Sequence, residues 1–164
     1  MRRISVQVMM AVLVAVVALL LVARLRYSGK ATVKLPADNC DANLWKHVYR
    51  PERLRVIEAC TAVEGRVVSV RRESDGDVTI ALDPEHKSVL NLVNAMHARG
   101  ELVVEVICEH APEGGDAAAA CAGITSQVTL PKIGERVRVT GAYVTDRHNG
   151  WNEVHPVTRI ETLR

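Results

Sequence analysis

The sequence predicts a mainly β protein: a five-stranded Greek-key barrel with a short helical insertion, preceded by one N-terminal transmembrane helix. Three observations predict it. Residues 4–23, ISVQVMMAVLVAVVALLLVA, form an uncharged apolar run. Beyond residue 60 come Val-rich stretches that alternate with polar residues and are broken by Gly, Pro and Asp, with no β–α–β rhythm. Four cysteines are scattered between residues 40 and 121. The chain divides accordingly into an anchor or signal at 1–26, a linker at 27–43 and one domain at 44–164.

The apolar run is long enough to span a bilayer as a helix, which takes about 20 residues. A cleaved signal has a shorter core and small residues at its cut site. Here Ala23 follows Leu21 and Val22 and precedes Arg24, so an uncleaved anchor is the preferred reading. A buried core helix would show a polar face, and this run has none.

Charge separates the two parts. Residues 1–34 carry six of the 21 basic residues and no acid, leaving 15 basic against all 19 acidic residues, a net of −4 for the rest. The overall pI of 8.4 therefore describes the membrane end. A mildly acidic domain argues against nonspecific nucleic-acid binding, which rests on basic side chains meeting phosphates.

The basic residues that follow the span (Arg24, Arg26, Lys30, Lys34) outnumber the two before it, which by itself would leave the domain in the cytoplasm. The cysteines point the other way. Cys40, Cys60, Cys108 and Cys121 form no CxxC pair, so zinc-ribbon and thioredoxin-like chemistry lack the spacing they need. An even number of scattered cysteines behind an export-like segment reads as two disulfides in an oxidising compartment. Of the three possible pairings, Cys40–Cys60 with Cys108–Cys121 is preferred, because the second would close the loop HAPEGGDAAAA. The domain is thus expected on the extracytoplasmic side, at the cell surface or in the periplasm.

The elements follow in order. Residues 27–43 are small and polar and contain Pro36. Segment 44–58, interrupted by Pro51, predicts a short helix or turn before the first strand; Trp45 and Tyr49, four apart, are placed to pack together. TAVEGRVVSVRRE, 61–73, is a strand in which Gly65 marks a bulge or bend. The DGD at 75–77 predicts a type I′ hairpin turn into DVTIALD, 77–83. Segment 84–100 has helical spacing at Val89, Leu90, Val93 and Met96, with Gly100 as a stop. ELVVEVICE, 101–109, reads as a buried strand and 110–128 as a loop. Strands at 131–146, with Gly141 inside, and at 151–163 complete the set. Five long strands curved by glycine suit a barrel of the OB type, whereas a sandwich needs about seven short ones.

Four segments then carry a resemblance: CTAVEGRVVSVRRESDGDVTIALDP, KSVLNLVN, ELVVEVIC and PKIGERVRVTGAYVTDRHNGWNEVHPVTRI. Together they resemble a family of exported bacterial OB-fold proteins without characterised function, which look like anticodon-binding and single-strand-binding OB domains. The resemblance covers residues 44–163, and the block GERVRVTGAYV…D…GWNEVHPV is its specific part. It implies the barrel and the disulfide framework. It implies no reaction, since the family has no catalytic residues to carry over.

The main candidate site is Trp151, Glu153 and His155, which share one face of the last strand because side chains alternate. An indole, a carboxylate and an imidazole together suit a sugar or a cation. The competing reading has Trp151 plugging the barrel end, His155 bonded to a neighbouring strand and Pro156 ending the ladder. Asp146 and His148 lie close by in sequence and join the ligand-binding set. No metal site is expected. Asp75 and Asp77 around Gly76 supply too few oxygens for calcium, and a hairpin turn explains them. Arg50, Arg53, Arg55, Arg66, Arg71 and Arg72 suggest a basic stripe, but Glu52, Glu58, Glu64 and Glu73 interleave with it. With no Phe, three Tyr and two Trp, stacking platforms for single strands are scarce.

No nucleophile context, HExxH or phosphate-cradling glycine loop is present, so no catalytic residue and no cofactor is expected. The leading expectation is a membrane-tethered, extracytoplasmic binding module for an envelope glycan, peptide or protein. The alternative is a single-stranded nucleic-acid binder. A further alternative is a hydrolase built on the barrel, which would depend on Glu153 and His155.

Overall fold

A computed structural model describes residues 39–164. The expected span at 4–23 and the linker up to residue 38 lie outside the described residues. Among those described, no helix is long and apolar enough to cross a membrane.

Five strands form the body: β1 (Leu54–Arg72), β2 (Val78–Pro84), β3 (Leu102–Val106), β4 (Arg136–Asp146) and β5 (Asn152–Thr162). They close into a barrel in the order β1-β2-β3-β5-β4. The 19-residue β1 serves two neighbours. Its first part pairs with β4 from Leu54 to Arg66, and its second with β2 from Gly65 to Arg72. The two ladders meet at Gly65, where an added Cβ would lie 2.5 Å from the Asp83 carbonyl oxygen. Only glycine lets β1 come that close to β2 while turning between them. The parallel closure of β3 on β5 is short: Val103 opposite Glu153 and Val104 opposite Val154.

β-Branched residues suit this pleated, half-buried surface, and with no Phe the interior is filled mainly by valine. Val67, Ile80, Leu82, Leu102, Val104, Val139 and Val154 meet inside the barrel, each 1% exposed or less. Tyr143 closes one end, its hydroxyl donating to the Val89 carbonyl at 2.6 Å and accepting from Asn152 Nδ2 at 2.7 Å. A second cluster outside the barrel joins Val48, Leu54, Ile107, Ala142 and Val144. Trp45, in the 3-10 turn Ala42–His47, packs against this cluster. Tyr49 instead lies with its ring centroid 4.9 Å from the Arg50 guanidinium.

Both disulfides join as expected, Cys40–Cys60 and Cys108–Cys121. The first ties the start of the described chain to β1. The second closes the segment between β3 and β4.

Four local expectations are corrected. The β1–β2 turn is not type I′. Of its central residues only Gly76 has a positive φ, 95°, and the Gly76 N–H bonds the Glu73 carbonyl before Glu73 N–H bonds Asp77. That is a turn followed by a left-handed glycine, the three-residue hairpin form. Segment 84–100 is not one helix: a 3-10 turn at Lys87–Val89 precedes α1 (Leu92–His97). The break falls where Asn91 and Asn94 form a reciprocal capping box that starts α1 afresh. Buried Asn94 then donates to the carbonyls of Glu101 and Asn152, so a polar side chain docks α1 while Leu92 and Met96 face outward. The loop at 110–128 contains α2 (Gly115–Ala120), built on the alanine run, which has the highest helix propensity. Pro156 does not end the ladder; β5 passes through it, with a cis His155–Pro156 bond, to Thr162.

Candidate functional site

The outer face of β1, β2 and β3 is concave. Side chains alternate, so Val70, Ile80 and Val104 turn inward while their neighbours line up outside. The register places Arg71, Thr79 and Glu105 in one row across the three strands. Ser69, Ala81 and Val103 form the next row, which the parallel closure extends to Glu153 on β5. Three connections wall this face: Glu73–Asp75 of the β1–β2 turn, His97–Arg99 at the end of α1, and Asn149 with Trp151 between β4 and β5. Together they bound a groove of about 510 Å³, a size typical of ligand sites.

Trp151 is the member of the sequence-predicted set that lines this groove. Its indole N–H donates to Glu153 Oε2 at 2.9 Å. The other oxygen of Glu153 meets His155 Nδ1 at 3.0 Å. Glu153 and His155 are 2% and 0% exposed. The three residues are therefore brought together as expected, but as a chain running inward from the groove. Glu153, backed by His155, holds the indole of Trp151 in place. Closure of β3 on β5 buries the two inner members and leaves Trp151 as the one of the three that lines the groove.

Asp146 is likewise buried. Its Oδ1 accepts from the His148 and Asn149 N–H groups at 2.7 and 3.2 Å, and Oδ2 accepts from Asn149 Nδ2 at 2.9 Å. It organises the β4–β5 turn, and the Arg53 guanidinium stands 3.7 Å away. These bonds tie the carboxylate to the backbone and side chain of the turn that it precedes. His148 is exposed and does not line the groove.

Sequence reasoning passed over Glu105. The signal was a lone acid inside LVVEVIC, an otherwise apolar strand. Burial pushes its carboxyl well above the ordinary range, and the charges of Glu153 and Asp77 push the same way. Asp77 behaves similarly: burial raises it from 3.8 to about 6, against the Cys108 N–H that donates to it at 2.8 Å. Raised carboxyls beside a groove are a common mark of a working site.

Asp77 carries a pH prediction. Its folded value lies above its unfolded value, so folding favours the neutral acid. The penalty for ionising it is absent below pH 3.8 and complete above about 6. At about 1.4 kcal/mol per unit, stability should fall by about 3 kcal/mol across that window from this group. Asp77→Asn keeps an acceptor for Cys108 and removes the titration. Urea unfolding at stepped pH should show a shallower fall in the variant; an unchanged slope would refute the assignment.

The arginine stripe does not assemble. Arg71 pairs with Glu73 at 2.5 Å, Arg72 with Glu109 at 3.2 Å, and Arg66 donates to the Gly134 carbonyl. Arg55 reaches Thr145, and Arg50 covers Tyr49. Each positive charge has its own local partner, and only Arg53 and Arg71 of the six line the groove. Asp77 also lies close to the sulfurs of Cys108 and Cys121. Both sulfurs are consumed in the disulfide, which leaves no thiolate for a metal.

No protein-family model matches the chain, and no curated protein matches it.

Proposed function

We propose that this protein is a membrane-tethered, extracytoplasmic binding module of the OB type, whose groove takes an envelope glycan or peptide. The observation that carries this reading is a coincidence of place. In OB barrels the face of the second and third strands, flanked by the first and last hairpin loops, is the ligand face. The groove here lies on that face, between the β1–β2 turn and the β4–β5 turn. The strand order β1-β2-β3-β5-β4 supports the OB assignment, as does the resemblance over residues 44–163. Two disulfides in a domain that follows an apolar run at 4–23 support an oxidising, extracytoplasmic setting.

A single-strand binder would present several stacking rings over unpaired cations. Trp151 is the one Trp, Tyr or Phe lining this groove, and of its three arginines Arg53 and Arg71 each face an acid, which among the described residues leaves Arg99 alone. A hydrolase using Glu153 and His155 is disfavoured by their burial.

The test titrates the full chain, held in lipid nanodiscs, with envelope glycan fragments, with short peptides and with a single-stranded oligonucleotide. Tryptophan emission and calorimetry report binding. A glycan or peptide should bind with little dependence on salt, and Trp151→Ala should weaken it by about tenfold or more, 1.4 kcal/mol. Preferred binding of the oligonucleotide, weakening steeply as salt rises, would replace this reading with the nucleic-acid one.

A further inference from the structure

Resting on the groove reading above, we propose that the groove is a subsite for a neutral saccharide, with a pyranose ring stacked on Trp151 and its hydroxyls met by Glu105, Thr79 and Arg99.

Three features of the groove select this ligand class. The first is Trp151. Its N–H is already committed to Glu153, so what remains to offer a ligand is ring carbon surface. A rigid aromatic face with no free donor suits the C–H face of a sugar ring.

The second is the backbone. Arg71, Thr79 and Glu105, and likewise Ser69, Ala81 and Val103, sit within continuous ladders across β1, β2 and β3. An extended peptide would seek an unpaired strand edge. Here recognition falls to side chains, which match hydroxyl groups.

The third is how charge is disposed. Thr79 Oγ lies 3.1 Å from Glu73 Oε1 and 3.1 Å from Glu105 Oε1. One hydroxyl has one proton, so it can donate to only one of the two carboxyls. Glu73 is also engaged by the Arg71 guanidinium at 2.5 Å. The two carboxyls thus compete for one proton, and burial with the charges of Glu153, Asp77 and Asp75 favours a proton on Glu105 itself. Glu105 is thus a neutral acid on the groove wall, with a carbonyl oxygen facing a ligand hydroxyl. The groups that surround it agree: Glu153 on β5, Asp77 and Asp75 beside β2, and Glu73 at the end of β1 are all acidic, and Arg71 is engaged by Glu73. At the rim, Arg99 and Glu101 make no ion pair among the described residues, and their charges balance. A strongly charged ligand finds no matching excess here, whereas a hydroxylated neutral one finds donors and acceptors.

The experiment uses the full chain in lipid nanodiscs, since sugar-headed detergents would compete. Probes are cellotetraose, maltotetraose and the N-acetylglucosamine tetramer, with tetragalacturonate, a neutral tetrapeptide and an oligothymidylate for comparison. At least one neutral tetramer should bind by calorimetry. Trp151→Ala should weaken it by about tenfold or more, while Trp151→Phe, which keeps a ring but loses the N–H, should stay within about threefold. As pH is raised until Glu105 ionises the wild type should lose affinity, whereas Glu105→Gln, permanently neutral, should hold it. Circular dichroism checks that each variant is folded. Absence of binding by every neutral tetramer at millimolar concentration overturns the proposal. Better binding of the uronate, peptide or oligothymidylate, still sensitive to Trp151→Ala, overturns the saccharide class but leaves the groove in place. Neutral-sugar binding indifferent to both Trp151→Ala and Glu105→Gln overturns the groove reading as well.

Discussion

Replacing Gly141 with alanine is expected to destabilise the domain by about 4 kcal/mol, at the severe end for a single substitution. The added Cβ would stand 2.5 Å from the Pro156 carbonyl oxygen, 2.7 Å from Val154 Cγ1 and 3.0 Å from Val157 Cα. Two of these three are backbone atoms of the partner strand, which no rotamer change can move away. The register of β4 against β5 also shifts on both sides of Gly141. The glycine is therefore where the two strands draw closest as the ladder bends. The opposite kind of glycine supplies the control. Gly134 has φ 88° and no atom within 4 Å of an added Cβ. Gly134→Ala should cost only the strain of its backbone angle, about 1 kcal/mol. Urea unfolding of the two variants beside the parent measures the contrast. A loss below about 1 kcal/mol at Gly141 would mean that β4 and β5 can separate freely, and the account of the barrel's closure would fail.

Removing both disulfides is expected to have the larger total effect. Cys40 and Cys60 are separated by 20 positions, Cys108 and Cys121 by 13. Loops of these lengths each restrict the unfolded chain by about 3 kcal/mol, so the pair contributes about 6 kcal/mol. Small domains have only about 5–15 kcal/mol in all. Fully reduced protein should thus be near the edge of folding at physiological temperature. The paired Cys→Ser variants separate the two contributions. Loss of Cys108–Cys121 should also loosen the Asp77 contact, because the Cys108 N–H holds that carboxyl. Unfolding midpoints with and without reductant give the answer. If reduction shifts them by less than about 1 kcal/mol in total, the bridges are incidental to stability.

Much of the barrel was legible because local patterns carried it. Alternation of Val78, Ile80 and Leu82 marks β2, and Gly65 and Gly141 sit where two strands approach too closely for a side chain. The cysteine pairing was legible because the segment between Cys108 and Cys121 has little else to close it. The helical insertion was less legible. The apolar spacing at Val89, Leu90, Val93 and Met96 imitates one helix face, yet the chain breaks at Asn91, where polar capping outweighs apolar periodicity. The type of the β1–β2 turn could not be read from Asp-Gly alone, since that dipeptide serves more than one hairpin form.

The site divides along the same line. Adjacency on one strand was enough to group Trp151, Glu153 and His155, and two hydrogen bonds link them. Which of them meets solvent was not a property of that strand. It depends on β3 lying beside β5, a contact between residues about 50 positions apart, and that contact buries Glu153 and His155. Glu105 and Thr79 likewise become partners only when β2 and β3 pair, and the shared hydroxyl between Glu73 and Glu105 exists only in the assembled sheet.

What the sequence by itself determined is whatever follows from neighbours along the chain: an apolar run, strands with their faces, glycines at bends and cysteines to be joined. What only the tertiary structure decided is which faces became interior, which charges found partners and where a groove opened. Burial and electrostatic pairing depend on distance through space, and the closing of the barrel sets those distances.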